Sequence, residues 1–218
     1  MAIWLKYVIA AVAGYLLGNV SVGILISKLY GVMDIRRHGS GNAGSTNVLR
    51  TLGWVPSLLT LLGDCLKAYL AAELGRALCG DTGMLLGGVC AVLGHDFPVF
   101  FRFHGGKGIA SSLGVIIAVD PWIALALLAL VVAITAFTRY VSVGSICASI
   151  LYPVLVAALH VGSANYGWYV ASSAFMGALA LFCHRKNIVR LLHGEENRLD
   201  FGRISKLSAH LRRFKNKK

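Results

Sequence analysis

Seven apolar blocks divide this chain, at about 3–29, 54–79, 83–101, 108–119, 121–138, 141–161 and 166–183. A helix needs about 20 apolar residues to cross roughly 30 Å of hydrocarbon. In lipid every backbone polar group must find its partner within the protein, which leaves helices and closed barrels as the only spanning forms. Blocks this long dictate an all-α, polytopic membrane helical bundle. Composition excludes the alternative of a soluble fold. The 218 residues are 57% hydrophobic and 14% charged, against roughly 45–50% and 25% in a soluble domain.

The fourth block is short and does not cross alone unless Gly105 to Gly108 extend it. Asp120-Pro121 separates it from the fifth, because proline disfavours helix in the residue before it. The count is therefore seven spans, or six with a re-entrant piece. Charge separates these. Lys28, Arg36, Arg37 and Arg50 flank the first long loop, Arg102 and Lys107 the next on that side, and Arg139 a third; eleven Lys and Arg follow position 183. The other side offers only Lys6 and Arg76. About seven transmembrane helices, with the N-terminus outside and the C-terminus cytoplasmic, place every basic loop inside.

The net charge of +12 thus has a topological reading, and no nucleic-acid partner is expected. Membrane lipids and anionic substrates are the partners it suits. The five cysteines show no metal spacing and no disulfide framework. The first block continues past its small-x-small triplet, so it reads as a span and not a cleaved signal. Residues 1–198 read as one integral-membrane domain. Residues 199–218 form a basic tail with an apolar stripe (Phe201, Ile204, Leu207, Leu211, Phe214) that suits a helix lying in the lipid interface.

Three polar segments on the basic side carry the chemistry. Gly39 to Arg50 places Gly41 and Gly44 among Ser40, Asn42, Ser45, Thr46 and Asn47. Glycines let backbone N–H groups converge on an anion, the short polar side chains add donors, and Arg50 adds a planar charged fork. A helix beginning near Ser45 would add the favourable field of its N-terminus. Gly105, Gly106, Lys107 and Gly108 form a second anion seat at a helix start. His184 and Asn187, three residues apart, share a helical face beyond the last span, followed by Arg190 and Glu196. Within the spans, Asp64/Lys67 and Glu73/Arg76 are opposite charges at i, i+3 and are expected to pair, with His95 bracing the loops.

Gly39, Gly41 and Gly44 also satisfy G-x-G-x-x-G, but no strand precedes them and Asp64, twenty residues on, lies in an apolar helix. No Walker A sequence occurs. No His/Asp/Glu cluster has metal-ligand spacing, so neither a metal nor another cofactor is expected. No histidine begins H-x-x-x-x-D, which disfavours an acyl-CoA-dependent acyltransferase.

The three segments together resemble the bacterial membrane glycerol-3-phosphate acyltransferases that use acyl phosphate, the PlsY family. Ser40 to Arg50 resembles the family's S-G-N-x-G-A-T-N-x-x-R, with Ser45 where alanine is usual. Gly105 to Gly108 matches G-G-K-G, and His184 to Glu196 matches H-x-x-N-I-x-R-L-x-x-G-x-E. Gly94-His95 with Pro98 and the Asp64/Lys67 spacing also resemble the family, although Ala68 stands where glycine is usual. The resemblance covers the chain to about Arg198. It implies seven spans and an enzyme of the bacterial inner membrane with a cytoplasmic active site. Its reaction transfers an acyl chain from acyl phosphate to the 1-hydroxyl of glycerol 3-phosphate, giving lysophosphatidic acid and phosphate in the first acylation step of phospholipid synthesis. On that reading Ser40, Arg50, Lys107, His184 and Asn187 are catalytic. Gly41, Asn42, Gly44, Ser45, Thr46, Asn47, Gly105, Gly106, Gly108, Arg190 and Glu196 hold substrate. Two candidates for the general base stay open, His184 and the substrate's own phosphate. The rival from another class is a membrane transporter for phosphate or a phosphorylated organic anion. No convincing inverted repeat is present to support it.

Overall fold

The computed structural model describes residues 1–32, 34–202 and 204, and among them the regular structure is entirely helical. The helices are α1 (Ile3–Gly18), α2 (Val22–Leu29), α3 (Ser45–Leu52), α4 (Trp54–Asp96), α5 (Ile109–Val119), α6 (Pro121–Thr138), α7 (Val141–Leu159), α8 (Tyr166–Cys183) and α9 (Arg185–Leu192). Short 3-10 turns at Ile35–Arg37 and Val99–Phe101 punctuate two loops. By length and composition, five helical stretches among the described residues can cross a membrane: Ile3–Leu29, Trp54–Phe101, Pro121–Thr138, Val141–Leu159 and Tyr166–Cys183. Most of the tail stripe (Leu207, Leu211, Phe214) lies outside the described residues.

The first apolar block is interrupted between α1 and α2. The Asn19 amide donates to Tyr15 O, and the freed Val20 carbonyl accepts from Lys67 Nζ at 2.6 Å. A break inside an apolar run is tolerable only when such orphaned groups find partners. The second and third blocks form one helix by hydrogen bonding, yet the backbone leaves helical geometry at Cys79 and Gly80, where Gly80 has φ +66°. There α4 doubles back. A Cβ on Gly75 would lie 2.0 Å from Gly83 O, and one on Gly87 would lie 2.6 Å from Ala71 O. The two arms are therefore antiparallel and in backbone contact, the close approach that small residues permit between helices in lipid.

Gly105 to Gly108 do not extend α5, which begins only at Ile109. At 1.5 Å per residue its 11 residues reach ~16 Å. Even so, α5 runs along the first arm of α4 from the level of Asp64 to that of Arg76. Ser111 Oγ donates to Asp64 O at its start. Ala118 O accepts from Arg76, near the hairpin tip, at its finish. Asp120 then caps α6 by accepting from the Trp122 and Ile123 amides, with proline in the first turn, where its missing N–H costs nothing. The chain so returns to the end where the basic loops gather.

Both expected intrahelical pairs form: Asp64–Lys67 at 2.8 Å and Glu73–Arg76 at 2.6 Å. His95 joins the first, its Nδ1 lying 2.9 Å from Lys67 Nζ. It also braces the 97–108 loop as expected. Gly106 N donates to His95 O and Gly105 N to Asp96 O.

Candidate active site

Four segments far apart in sequence meet at the basic end of the bundle. The first is the 38–50 loop, which Asn47 organises from within. Its amide nitrogen donates to the carbonyls of Ile35, His38 and Asn42 at 2.8–3.0 Å, and its Oδ1 accepts from Ser40 N at 2.7 Å. Asn47 is 1% exposed, so its own amide would sit in the interior without a partner if the loop did not fold around it. Asn42 performs a similar service, accepting from Gly44 N and donating to Gly105 O. Gly39 and Gly41 take positive φ, and α3 begins at Ser45, as expected for a helix N-terminus facing the site.

The second segment is Gly105 to Gly108. A Cβ on Gly106 would fall 1.8 Å from His95 Nε2, and one on Gly105 would fall 2.0 Å from His95 O. These glycines are dictated by packing on α4, which seats the loop and presents Lys107 beside α9. Lys107 Nζ donates to Asn187 Oδ1 at 2.5 Å. The third and fourth segments are the α8–α9 junction and the stretch beyond α9. Asn187 Nδ2 donates to Glu196 Oε1, Arg190 Nε to Glu196 Oε2 at 2.8 Å, and Ser142 Oγ to Glu196 Oε1. Glu196, 7% exposed, is thus the hub that fixes Asn187, and through it the Lys107 ammonium.

Electrostatics follow from burial. Desolvation pushes the Lys107 ammonium down to about 8, against the pull of Glu196 and helped by the neighbouring Arg190 and Arg50 charges. Burial lowers the Arg50 guanidinium as well. One of its Nη atoms donates to Asn197 O, while its buried Nε has no hydrogen-bond partner among the described residues. Burial, then the Lys107 charge, pushes His184 down to about 4. Its Nδ1 lies 2.8 Å from Ala180 O, a carbonyl that can only accept. The neutral ring therefore carries its proton on Nδ1 and leaves Nε2 as an acceptor.

These groups surround the mouth of one cavity of about 500 Å³. Ser40, Asn42, Gly44, Ser45, Thr46, Asn47, Arg50, Lys107, Gly108, His184, Asn187 and Glu196 all line it. Below the mouth its walls turn apolar, passing Leu58 and Leu61 of α4, Ile116 of α5 and Val131 of α6 to a floor at Tyr152 and Met176. The distance from Ser142 to Tyr152 along α7, ten residues, is ~15 Å. Of the expected site residues, Gly41, Gly105, Gly106 and Arg190 do not line the cavity. Gly105 and Gly106 instead pack on α4, and Arg190 reaches it only through Glu196. Asn47 borders it with its amide already committed to the loop.

Sequence reasoning missed Ser142, whose bond to Glu196 joins residues 54 apart. It also missed that Asp64 and His95, expected only as pairing and bracing groups, face the cavity. No group of three or more His, Cys, Asp or Glu side chains suited to a metal ion occurs among the described residues.

A helical bundle with a cationic polar mouth above an apolar slot defines a class, that of membrane proteins handling an anionic amphiphile or a pair of such ligands. The comparisons narrow it. Residues 8–194 match the family model described as glycerol-3-phosphate acyltransferase, and the chain belongs to that family. A glycerol-3-phosphate acyltransferase of Thermoanaerobacter pseudethanolicus is 42% identical over 192 residues, covering 88% of this chain and 95% of that protein. One from Clostridioides difficile is 43% identical over 200 residues, with 89% and 96% covered. The fold is similar to the crystal structure of PlsY, an integral membrane glycerol 3-phosphate acyltransferase, in its glycerol 3-phosphate form (TM-score 0.81, 38% identity, 89% of this chain and 96% of that one). It is equally similar to the lysophosphatidic acid form (TM-score 0.80, 37% identity, 91% and 97% covered). This chain is an integral membrane protein of the same family.

Proposed function

We propose that the protein transfers an acyl chain from acyl phosphate to the 1-hydroxyl of glycerol 3-phosphate, releasing lysophosphatidic acid and phosphate. The work is done at the cytoplasmic face of the bacterial inner membrane, in the first acylation step of phospholipid synthesis. Seven passes, counting the two arms of α4 and the short α5, put the N-terminus outside and the site inside. The observation that carries the reading is the union of a polar mouth and an apolar slot in the same cavity. Its mouth gathers Arg50 and Lys107, as two phosphate-bearing substrates require, and its slot accepts an acyl chain.

In this mechanism the hydroxyl oxygen attacks the acyl carbonyl carbon. The bond from that carbon to the phosphate oxygen breaks, and phosphate leaves with the electron pair. Arg50 and Lys107 neutralise phosphate charge, while Ser40, Ser45, Thr46 and the start of α3 hold one phosphate by neutral donors. Asn187, set by Glu196, positions glycerol 3-phosphate. Acyl phosphate is already activated, so placement and charge stabilisation supply most of the catalysis. His184 Nε2 accepts from the attacking hydroxyl and orients it. With its pKa near 4 the imidazole is a weak base, and the better proton acceptor is the phosphate of glycerol 3-phosphate, whose second pKa is about 6.

The first test mixes purified protein in detergent with glycerol 3-phosphate and either palmitoyl phosphate or palmitoyl-CoA. Lysophosphatidic acid is expected from palmitoyl phosphate alone. Product from the CoA ester would sink the donor assignment, and no product from either, with folded protein, would sink the reaction.

The pH profile tests the roles. For Lys107 the depressed pKa means that the cation is present below about pH 8 and lost above it. The profile of kcat/KM reports free enzyme and free substrate, so it should rise through about pH 6 as substrate phosphate loses its second proton. It should fall through about pH 8. Lys107→Arg should abolish the alkaline limb, and His184→Gln should lower the rate while keeping the acid limb. An acid limb that vanishes in His184→Gln would make the histidine the base.

A further inference from the structure

Beyond Glu196 the chain does not leave the site but crosses it. Asn197 O accepts from Arg50 on α3. Leu199 N donates to Arg139 O at the α6–α7 corner, at 2.8 Å. Arg198 Nε donates to the Tyr140 hydroxyl and its guanidinium lies over that ring. Phe201 then stacks on Trp54, the first residue of α4, with ring planes 1° apart and centroids at 6.2 Å. Leu199 and Ile204 are buried with Leu49 of α3, and Val141 packs against them. Residues 197–202 and Ile204 are thus a strap tied to the α6–α7 corner on one side and to the α3–α4 corner on the other.

These ties do more than hold a tail. Leu199 and Phe201 are themselves walls of the cavity, along with Trp54 and Leu58. Phosphate has no use for two apolar side chains at that level, and an acyl chain leaving the cationic mouth does. The strap lies past residue 194, where the family match ends.

We propose that Phe201 and Leu199, with Trp54, bind the acyl chain of the donor where it enters the slot, which makes the strap part of the acyl-phosphate site. This rests on the acyltransferase reading above. Phe201 is 37% exposed, so its truncation removes substrate contact without opening the protein core.

The test measures steady-state kinetics of full-length wild type, Phe201→Ala and Phe201→Trp, varying each substrate in turn. Phe201→Ala is expected to raise KM for palmitoyl phosphate about tenfold, the size of losing burial of roughly two methylenes. KM for glycerol 3-phosphate should stay unchanged, and Phe201→Trp should restore the wild-type value. Leu199→Ala serves as a second variant with the same expected split. Unchanged kinetics, or equal changes in both KM values, or a fall in kcat alone, overturns the proposal. An inactive wild type refutes the acyltransferase reading instead, so the two failures are distinguishable.

Discussion

Lys107→Ala is expected to lower kcat/KM by roughly 10²–10³, the loss that follows removal of one donor aimed at developing negative charge in a dry site. The argument is geometric before it is electrostatic. The glycines on either side press the loop onto His95 and Asp96, Asn187 receives the ammonium at 2.5 Å, and Glu196 fixes Asn187. The ammonium is therefore placed before substrate arrives and needs little reorganisation when charge shifts to the leaving phosphate. Lys107→Arg should recover only part of the rate, because a planar fork does not occupy the place of a point charge. Steady-state kinetics with both substrates, beside a thermal unfolding curve, checks this. A folded Lys107→Ala protein with full activity would reduce Lys107 to a lysine snorkelling at the membrane edge.

Asn47→Ala should act through structure. The side chain makes four hydrogen bonds within the 35–47 loop at 1% exposure. A buried group left unsatisfied costs about 1–3 kcal/mol, and part of the loop can relax toward water, so a total loss of roughly 3–5 kcal/mol is expected. Activity should fall with it, because Ser40 is positioned by the hydrogen bond that its backbone N–H donates to Asn47 Oδ1. Asn47→Asp keeps the acceptor for Ser40 but loses the amide donors, and should destabilise nearly as much. The check is the unfolding midpoint in detergent together with glycerol 3-phosphate KM. A variant with wild-type midpoint and a raised KM would make Asn47 a direct substrate contact after all.

These two residues show how legible the site was. Lys107 lines the cavity mouth, where a lysine among glycines beside a span was expected to stand. Asn47 lines it too, but with its amide bonded to the loop. An asparagine in a Gly/Ser/Thr loop has the same sequence signature whether its amide faces a phosphate or the loop's own carbonyls. Gly105 and Gly106 repeat the lesson. Their freedom from a Cβ was legible as a need for close approach, but what approaches is the His95 side chain and backbone. Glu196 was open to a structural reading as the group that orients Arg190, and the two do pair, whereas Ser142, which completes their cluster, comes from a serine-bearing helix that no sequence pattern ties to them.

The fold divides in the same way. Apolar blocks set the helices, and the distribution of Lys and Arg set which loops share a side, because lipid leaves unpaired backbone no choice and charge few. The fold-back of α4 at Cys79-Gly80 falls at the boundary read between the second and third blocks. The break at Asn19 to Ser21 was not legible, because it depends on a partner brought from elsewhere, Lys67 for the Val20 carbonyl. By itself the sequence determined the class, the basic face and the identity of the charged groups, since these follow from local composition and spacing. Only the tertiary structure decided which polar atoms stay free for a ligand and how far the slot descends. It also turned the start of the tail into a wall of the site. Hydrogen-bond satisfaction and cavity walls are properties of residues that meet in space, and no local pattern encodes them.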